Sequence, residues 1–174
     1  MNLNNQTFDK TNQTLYKLII PNLPHITGVS LNKIKNFTIN GNSAILPGLS
    51  ISAVDYAWQG GKIKLPDART EFNNLTVSYL IDEDLNNWKL FFYWILQYNN
   101  NKDKYVEDPN NIVCDAFLVY YNNWLKKPVL KMKFINIFPI AISDIELTTK
   151  TDGSEVIEGH VTFALDRYEL QDII

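Results

Sequence analysis

The side chains able to do chemistry are few and scattered. The chain holds two histidines, His25 and His160, and one cysteine, Cys114. A metal site needs several such ligands at close spacing, and a nucleophilic triad needs a base beside its nucleophile. His25 lies between Pro24 and Ile26 in an expected loop, and His160 sits in the middle of an expected strand. Cys114 is distant from both. It excludes an intramolecular disulfide, suits a reducing compartment, and reads as a small buried hydrophobe at a strand start. Asp82, Glu83 and Asp84 form a run that could hold a cation. The run lacks the glycine and distal glutamate of a calcium loop, and acids so placed suit the N-cap and positive first turn of a helix. Gly60-Gly61 lacks the following helix and Lys-Ser/Thr pair of a phosphate-binding loop. No enzyme is expected here, and no cofactor or metal.

Nine Tyr, nine Phe and four Trp make the chain 13 % aromatic. A nucleobase-stacking platform would interleave these rings with Arg or Lys. No basic run exists, and the net charge of −3 opposes a protein that grips phosphates. Large amphipathic rings suit cores and protein–protein interfaces. The polar start, Met1 to Gln13, has no apolar signal core, and no segment is long and apolar enough to span a bilayer. The expectation is a soluble intracellular product with no membrane partner.

The elements that must position these residues are mostly strands. Residues 1–13 offer little to bury and read as a flexible arm, with 14–174 as a single domain. Leu15 to Ile20 reads as a strand ended by Pro21, and Leu31 to Ile39 as another, before an Asn40-Gly41 turn. Residues 46–66 read as a projecting hairpin, opened by Leu46-Pro47-Gly48, bent at Gly60-Gly61 and closed by Leu65-Pro66. Its arms carry Leu49, Ile51, Val54, Tyr56 and Trp58. Leu75, Val77, Tyr79 and Ile81 form one face of a strand, with Thr76, Ser78 and Leu80 on the other. The one convincing helix follows Asp82, with Leu85, Trp88, Phe92 and Ile95 as the stripe expected to pack on the sheet. Beyond an Asn-rich loop, strands are expected at Val113 to Tyr121, Val129 to Phe138, Ile142 to Thr149 and Val156 to Glu169. One helix among seven or eight strands predicts a mainly β fold, a β-barrel or β-sandwich with one packed α-helix.

Two segments carry a resemblance. Lys62 to Asp82, KIKLPDARTEFNNLTVSYLID, running into Trp88 to Ile95, resembles the tail tube proteins of T-even-type contractile bacteriophages. That family has a basic-apolar strand, a turn with Arg and Phe, an "LTVTF..D" strand and an "FF.W" helix. Pro128 to Leu147, PVLKMKFINIFPIAISDIEL, is similar to its "FP..ISDI.L" element, and Val161 to Tyr168 to its terminal strand. The resemblance implies a tail tube-like fold in which six copies form a ring. The rings then stack into a tube that passes phage DNA and the tape measure protein. The implied partners are its own copies, tail sheath, baseplate and tail terminator proteins. The implied location is the virion tail, after assembly in the host cytoplasm.

Ring closure removes strand edges that would otherwise aggregate, and stacking is a heterologous contact that extends without limit. Leu49, Ile51, Val54, Tyr56 and Trp58 are the expected inter-ring contact. Glu155, Glu158 and Asp166 are the candidate acids lining a lumen that must not bind DNA. A tube-initiating or tube-capping baseplate paralogue, or a contractile injection system tube, is the alternative. Initiators carry extra domains, for which this length leaves no room. A monomeric β-barrel binding a small apolar ligand is a third reading.

Overall fold

The computed structural model describes residues 16–24, 26, 37–39, 43–58, 60–100, 113–121, 127–145 and 157–172. The expected arm, the Asn40-Gly41 turn, His25 and Glu155 lie outside these residues. The elements are β1 (Tyr16–Ile20), β2 (Phe37–Ile39), β3 (Ala44–Ile45), β4 (Leu49–Trp58), β5 (Gly61–Phe72), β6 (Leu75–Leu80), α1 (Asn86–Asn100), β7 (Cys114–Tyr121), β8 (Pro128–Ile142), β9 (Glu158–Ala164) and β10 (Arg167–Asp172). The strands pair antiparallel in the order β2-β1-β7-β8-β9-β6-β3, with β10 also on β8 and β4 paired only to β5. Among the described residues the fold is mainly β with one helix, as expected.

Alternation builds the core. Leu75, Val77 and Tyr79 of β6, Val161 and Phe163 of β9, and Met132 and Phe134 of β8 are all buried, and their strand neighbours are more exposed except Ser78, which is buried against Ser43. Cys114 is buried at the start of β7. Burial, helped by the charge of Asp115, pushes its thiol up to about 12, so it stays a neutral core residue.

The strand β8 turns the corner of the fold. From Leu130 to Ile135 it lies between β7 and β10, and from Phe138 to Ile142 it pairs with β9 alone. Asn136 makes the switch possible. It sits at φ 54°, the left-handed region that Asn tolerates better than most residues. Before it the even positions Met132 and Phe134 face inward; after it the odd positions Ile137 and Pro139 do. Asn136 Nδ2 donates to Asp166 at 2.6 Å, and its backbone N–H donates to Asp115 at 3.3 Å. Asp115 in turn holds Lys133 at 3.0 Å.

Two strand expectations therefore change. Phe138-Pro139 lies within one continuous strand, because β8 is an edge there and the ladder slips between Pro139 and Ala141, where the missing N–H is not required. The closing segment is two strands, β9 and β10, because Leu165-Asp166 bends with β8 at the same corner.

The helix begins at Asn86, later than expected, and the acids Asp82, Glu83 and Asp84 form a turn before it. Buried Asn87 ties that turn to the sheet. Its side-chain amide donates to the Leu80 carbonyl at 2.6 Å and to Asp82 Oδ1 at 2.9 Å. Leu90, Phe91 and Trp94 then enter the core, where Phe91 meets Tyr79 and Phe163 at ring separations of 5.4 and 5.8 Å. The stripe expected to do this, Leu85, Trp88, Phe92 and Ile95, lies on another side of the helix and is only half-buried.

Candidate assembly surface

The hairpin β4–β5 is an outgrowth of the sheet. Pairs Ala44↔Val77 and Ile45↔Thr76 of β3–β6 share one register with Leu49↔Phe72, Ser50↔Glu71 and Ile51↔Thr70 of β4–β5. A bond from Asn73 N–H to the Gly48 carbonyl, 3.1 Å, joins the two ladders. At the base, half-buried Phe72 packs edge-on against Tyr168 of β10 (5.2 Å), which leans on Phe134 in the core (5.9 Å). Beyond the base the strands leave the body. At about 3.3 Å per residue they reach roughly 30 Å, closing at Trp58↔Gly61 with Gly60 at φ 86°. That positive φ is why glycine stands at the turn.

Every residue of β4 is exposed. Past a register shift between Ile51 and Ala53, pairs Val54↔Leu65 and Tyr56↔Ile63 place apolar side chains opposite one another, with Trp58 beyond them. Tyr56 is 54 % and Trp58 61 % exposed. Asp55 and Ala57 face Lys64 and Lys62 on the other side of the ribbon, and Lys62 reaches Asp55 at 3.9 Å. An isolated two-stranded ribbon is marginally stable in water, and exposed apolar patches of this kind mark contact sites.

A second apolar surface lies beside α1. Leu85, Trp88, Phe92, Ile95 and Leu96 face the end of β8 and the residues after it, Ile140 to Ile145, across an open groove of about 630 Å³. Trp88 stacks on Phe92 at 5.1 Å, and its indole N–H is buried without a hydrogen-bond partner. The sequence reading missed this groove. Its signal was the apolar run Ile140, Ile142 and Ile145 following a helix with more aromatic surface than one core contact uses.

The family model described as phage tail tube protein matches residues 11–171. The chain belongs to the phage tail tube protein family. Within that relationship it is 28 % identical over 173 residues to the tail tube terminator protein of Enterobacteria phage T4, spanning 95 % of this chain and 92 % of that protein. Among solved structures it is similar in fold to a chain of the anti-feeding prophage baseplate, with TM-score 0.65, 8 % identity, and coverage of 96 % of this chain and 98 % of that one. It is also similar to a chain of the anti-feeding prophage tube terminating cap, with TM-score 0.62, 16 % identity, and coverage of 99 % and 100 %.

In this tail tube family member the remaining candidate residues are dispersed. Glu158 is exposed on β9 opposite Leu80, and Asp166 is exposed at the corner and bound to Asn136. His160 is exposed on β9 opposite Ser78, its backbone N–H donating to Ser143 Oγ at 2.9 Å. Among the described residues no group of three His, Cys, Asp or Glu is placed to hold a metal, and no helix is long and apolar enough to cross a membrane.

Proposed function

We propose that this chain is a tube terminator: copies of it form a ring that seats on the end of a contractile phage tail tube and stops its growth. The observation that carries this reading is the match to the T4 tail tube terminator over nearly the full length of both chains. The motifs alone favoured the repeating tube subunit, and the tube-initiating or tube-capping paralogue was set aside because initiators carry extra domains. That ground does not reach a terminator, because this chain spans 92 % of the T4 terminator's own length.

The role is structural. The ring is hexameric on this reading, matching the 6-fold symmetry of the baseplate structure whose chain shares the fold. Sheet edges at β2, β3 and β10 supply the ring contacts, and the hairpin residues Leu49, Ile51, Val54, Tyr56 and Trp58 grip a neighbouring subunit. DNA and the tape measure protein pass through the ring, with sheath and baseplate components as neighbours in the virion tail. Glu158 is a lumen candidate on this reading, and Asp166 a corner residue.

The test is electron microscopy of the purified protein, alone and mixed with tubes of the same phage's tube subunit. A terminator forms single rings and decorates one end of each tube, arresting its growth. Long tubes assembled from this chain alone would return the reading to the repeating subunit.

A further inference from the structure

Among the described residues, two apolar surfaces lack a partner in their own chain: the hairpin tip and the α1–β8 groove. We propose that they are the two halves of one contact, with the β4–β5 tip of one copy seated in the groove of another. This rests on the self-assembly reading above and names the hairpin's partner.

The sizes agree. Val54, Tyr56, Trp58, Ile63 and Leu65 stand about half exposed, which leaves roughly 500 Å² to cover, taking 150–250 Å² for each large side chain. That is a substantial share of the roughly 800 Å² each partner gives to a stable interface. The groove, about 630 Å³, lies within the roughly 300–1,000 Å³ of clefts that enclose a compact ligand. It takes the two ring side chains Tyr56 and Trp58.

The polar groups agree as well. Exposed Asp144 lines the groove, and exposed Glu83 and Asp84 immediately precede its lining residue Leu85, with Lys89 donating to the Asp84 carbonyl. Along β5, Lys62 and Lys64 alternate with Ile63 and Leu65. A seated tip therefore carries Lys62 and Lys64, offset in part by Asp55 beside them, to an acidic rim. The contact is heterologous, so one copy uses its tip and its groove on different neighbours.

The test is crosslinking with a short bis-maleimide. Tyr56→Cys copies are mixed with Ala141→Cys copies, Ala141 being an exposed groove residue and native Cys114 being buried. The expected result is a crosslinked dimer in the mixture and not in either variant alone. Lys62→Glu with Lys64→Glu in the Tyr56→Cys copy should lower the yield at least tenfold, and Glu83→Lys with Asp84→Lys in the other copy should restore part of it. Equal crosslinking of Tyr56→Cys with itself, or with Thr38→Cys on β2, would overturn the assignment. Rings that cap tubes without this crosslink would overturn the groove contact and leave the terminator reading standing. A chain that stays monomeric and caps nothing would overturn both.

Discussion

Replacing Trp58 by Ser should separate assembly from folding. In the single chain the indole is 61 % exposed, and no residue of β4 is buried. Substitutions at such positions change stability by about 0.5 kcal/mol or less. The same side chain leaves about 150 Å² of apolar surface for a partner to cover, taking roughly 250 Å² for a Trp. At about 25 cal/mol per Å², covering that area contributes up to about 4 kcal/mol to association. Each 1.4 kcal/mol is tenfold in affinity, so even half of this weakens association by roughly thirtyfold. Sedimentation velocity across a concentration series would follow the assembly, and thermal denaturation of dilute protein would follow the fold. The expected outcome is a shift of the assembly midpoint to at least tenfold higher concentration with a melting temperature changed by about 2 °C or less. A melting temperature lowered by several degrees, with assembly unchanged, would refute the reasoning, because it would mean that the hairpin packs within its own chain.

Three predictions concern the body of the fold. Gly159→Ala places a methyl 2.9 Å from Tyr79 Cζ and 3.3 Å from Ile81 Cδ1. The overpacking should destabilise by about 1–3 kcal/mol, and a urea titration would measure it. At the corner, Asn136→Val should lose about 1–2 kcal/mol more than Asn136→Gly in the same assay, because both lose the bond to Asp166 but only Val resists a φ of 54°. On the alkaline side, burial raises Cys114 from 9.0 to about 12, with Asp115 adding to it, and raises Tyr79 from 10.0 to about 12, with Asp82 adding to it. The folded state holds these protons more tightly than the unfolded chain, so their contribution is complete below pH 9 and is lost as pH rises toward 12. Denaturation midpoints measured from pH 8 to 11.5 should be flat to about pH 9 and then fall, and Cys114→Ala should move the onset up toward pH 10.

Much of the body was legible because burial on one side of a sheet writes itself as alternation. Leu75, Val77 and Tyr79 are buried as their spacing requires, whereas the hairpin expected at 46–66 runs on through Leu65-Pro66 to Phe72, because Pro66 sits in an exposed two-stranded ribbon beside the register shift. The corner was not legible. Alternation assumes a constant phase, and one residue in the left-handed region, Asn136, reverses which positions of β8 face inward. The helix misled for a related reason. It is apolar around most of its girth, so periodicity alone could not choose between the stripe of Leu90, Phe91 and Trp94, which enters the core, and that of Trp88, Phe92 and Ile95, which lines the groove. The groove itself needs Ile140 to Ile145 brought beside α1, a juxtaposition that only the path of β8 creates.

The copy number of this chain per tail tests the central claim most directly. Quantitative mass spectrometry of purified virions, calibrated against the tube and sheath subunits, would measure it. A terminator predicts one ring's worth of copies, the same in every tail whatever its length. Copies that scale with tail length, as many rings' worth, would contradict the account and make this chain the tube itself.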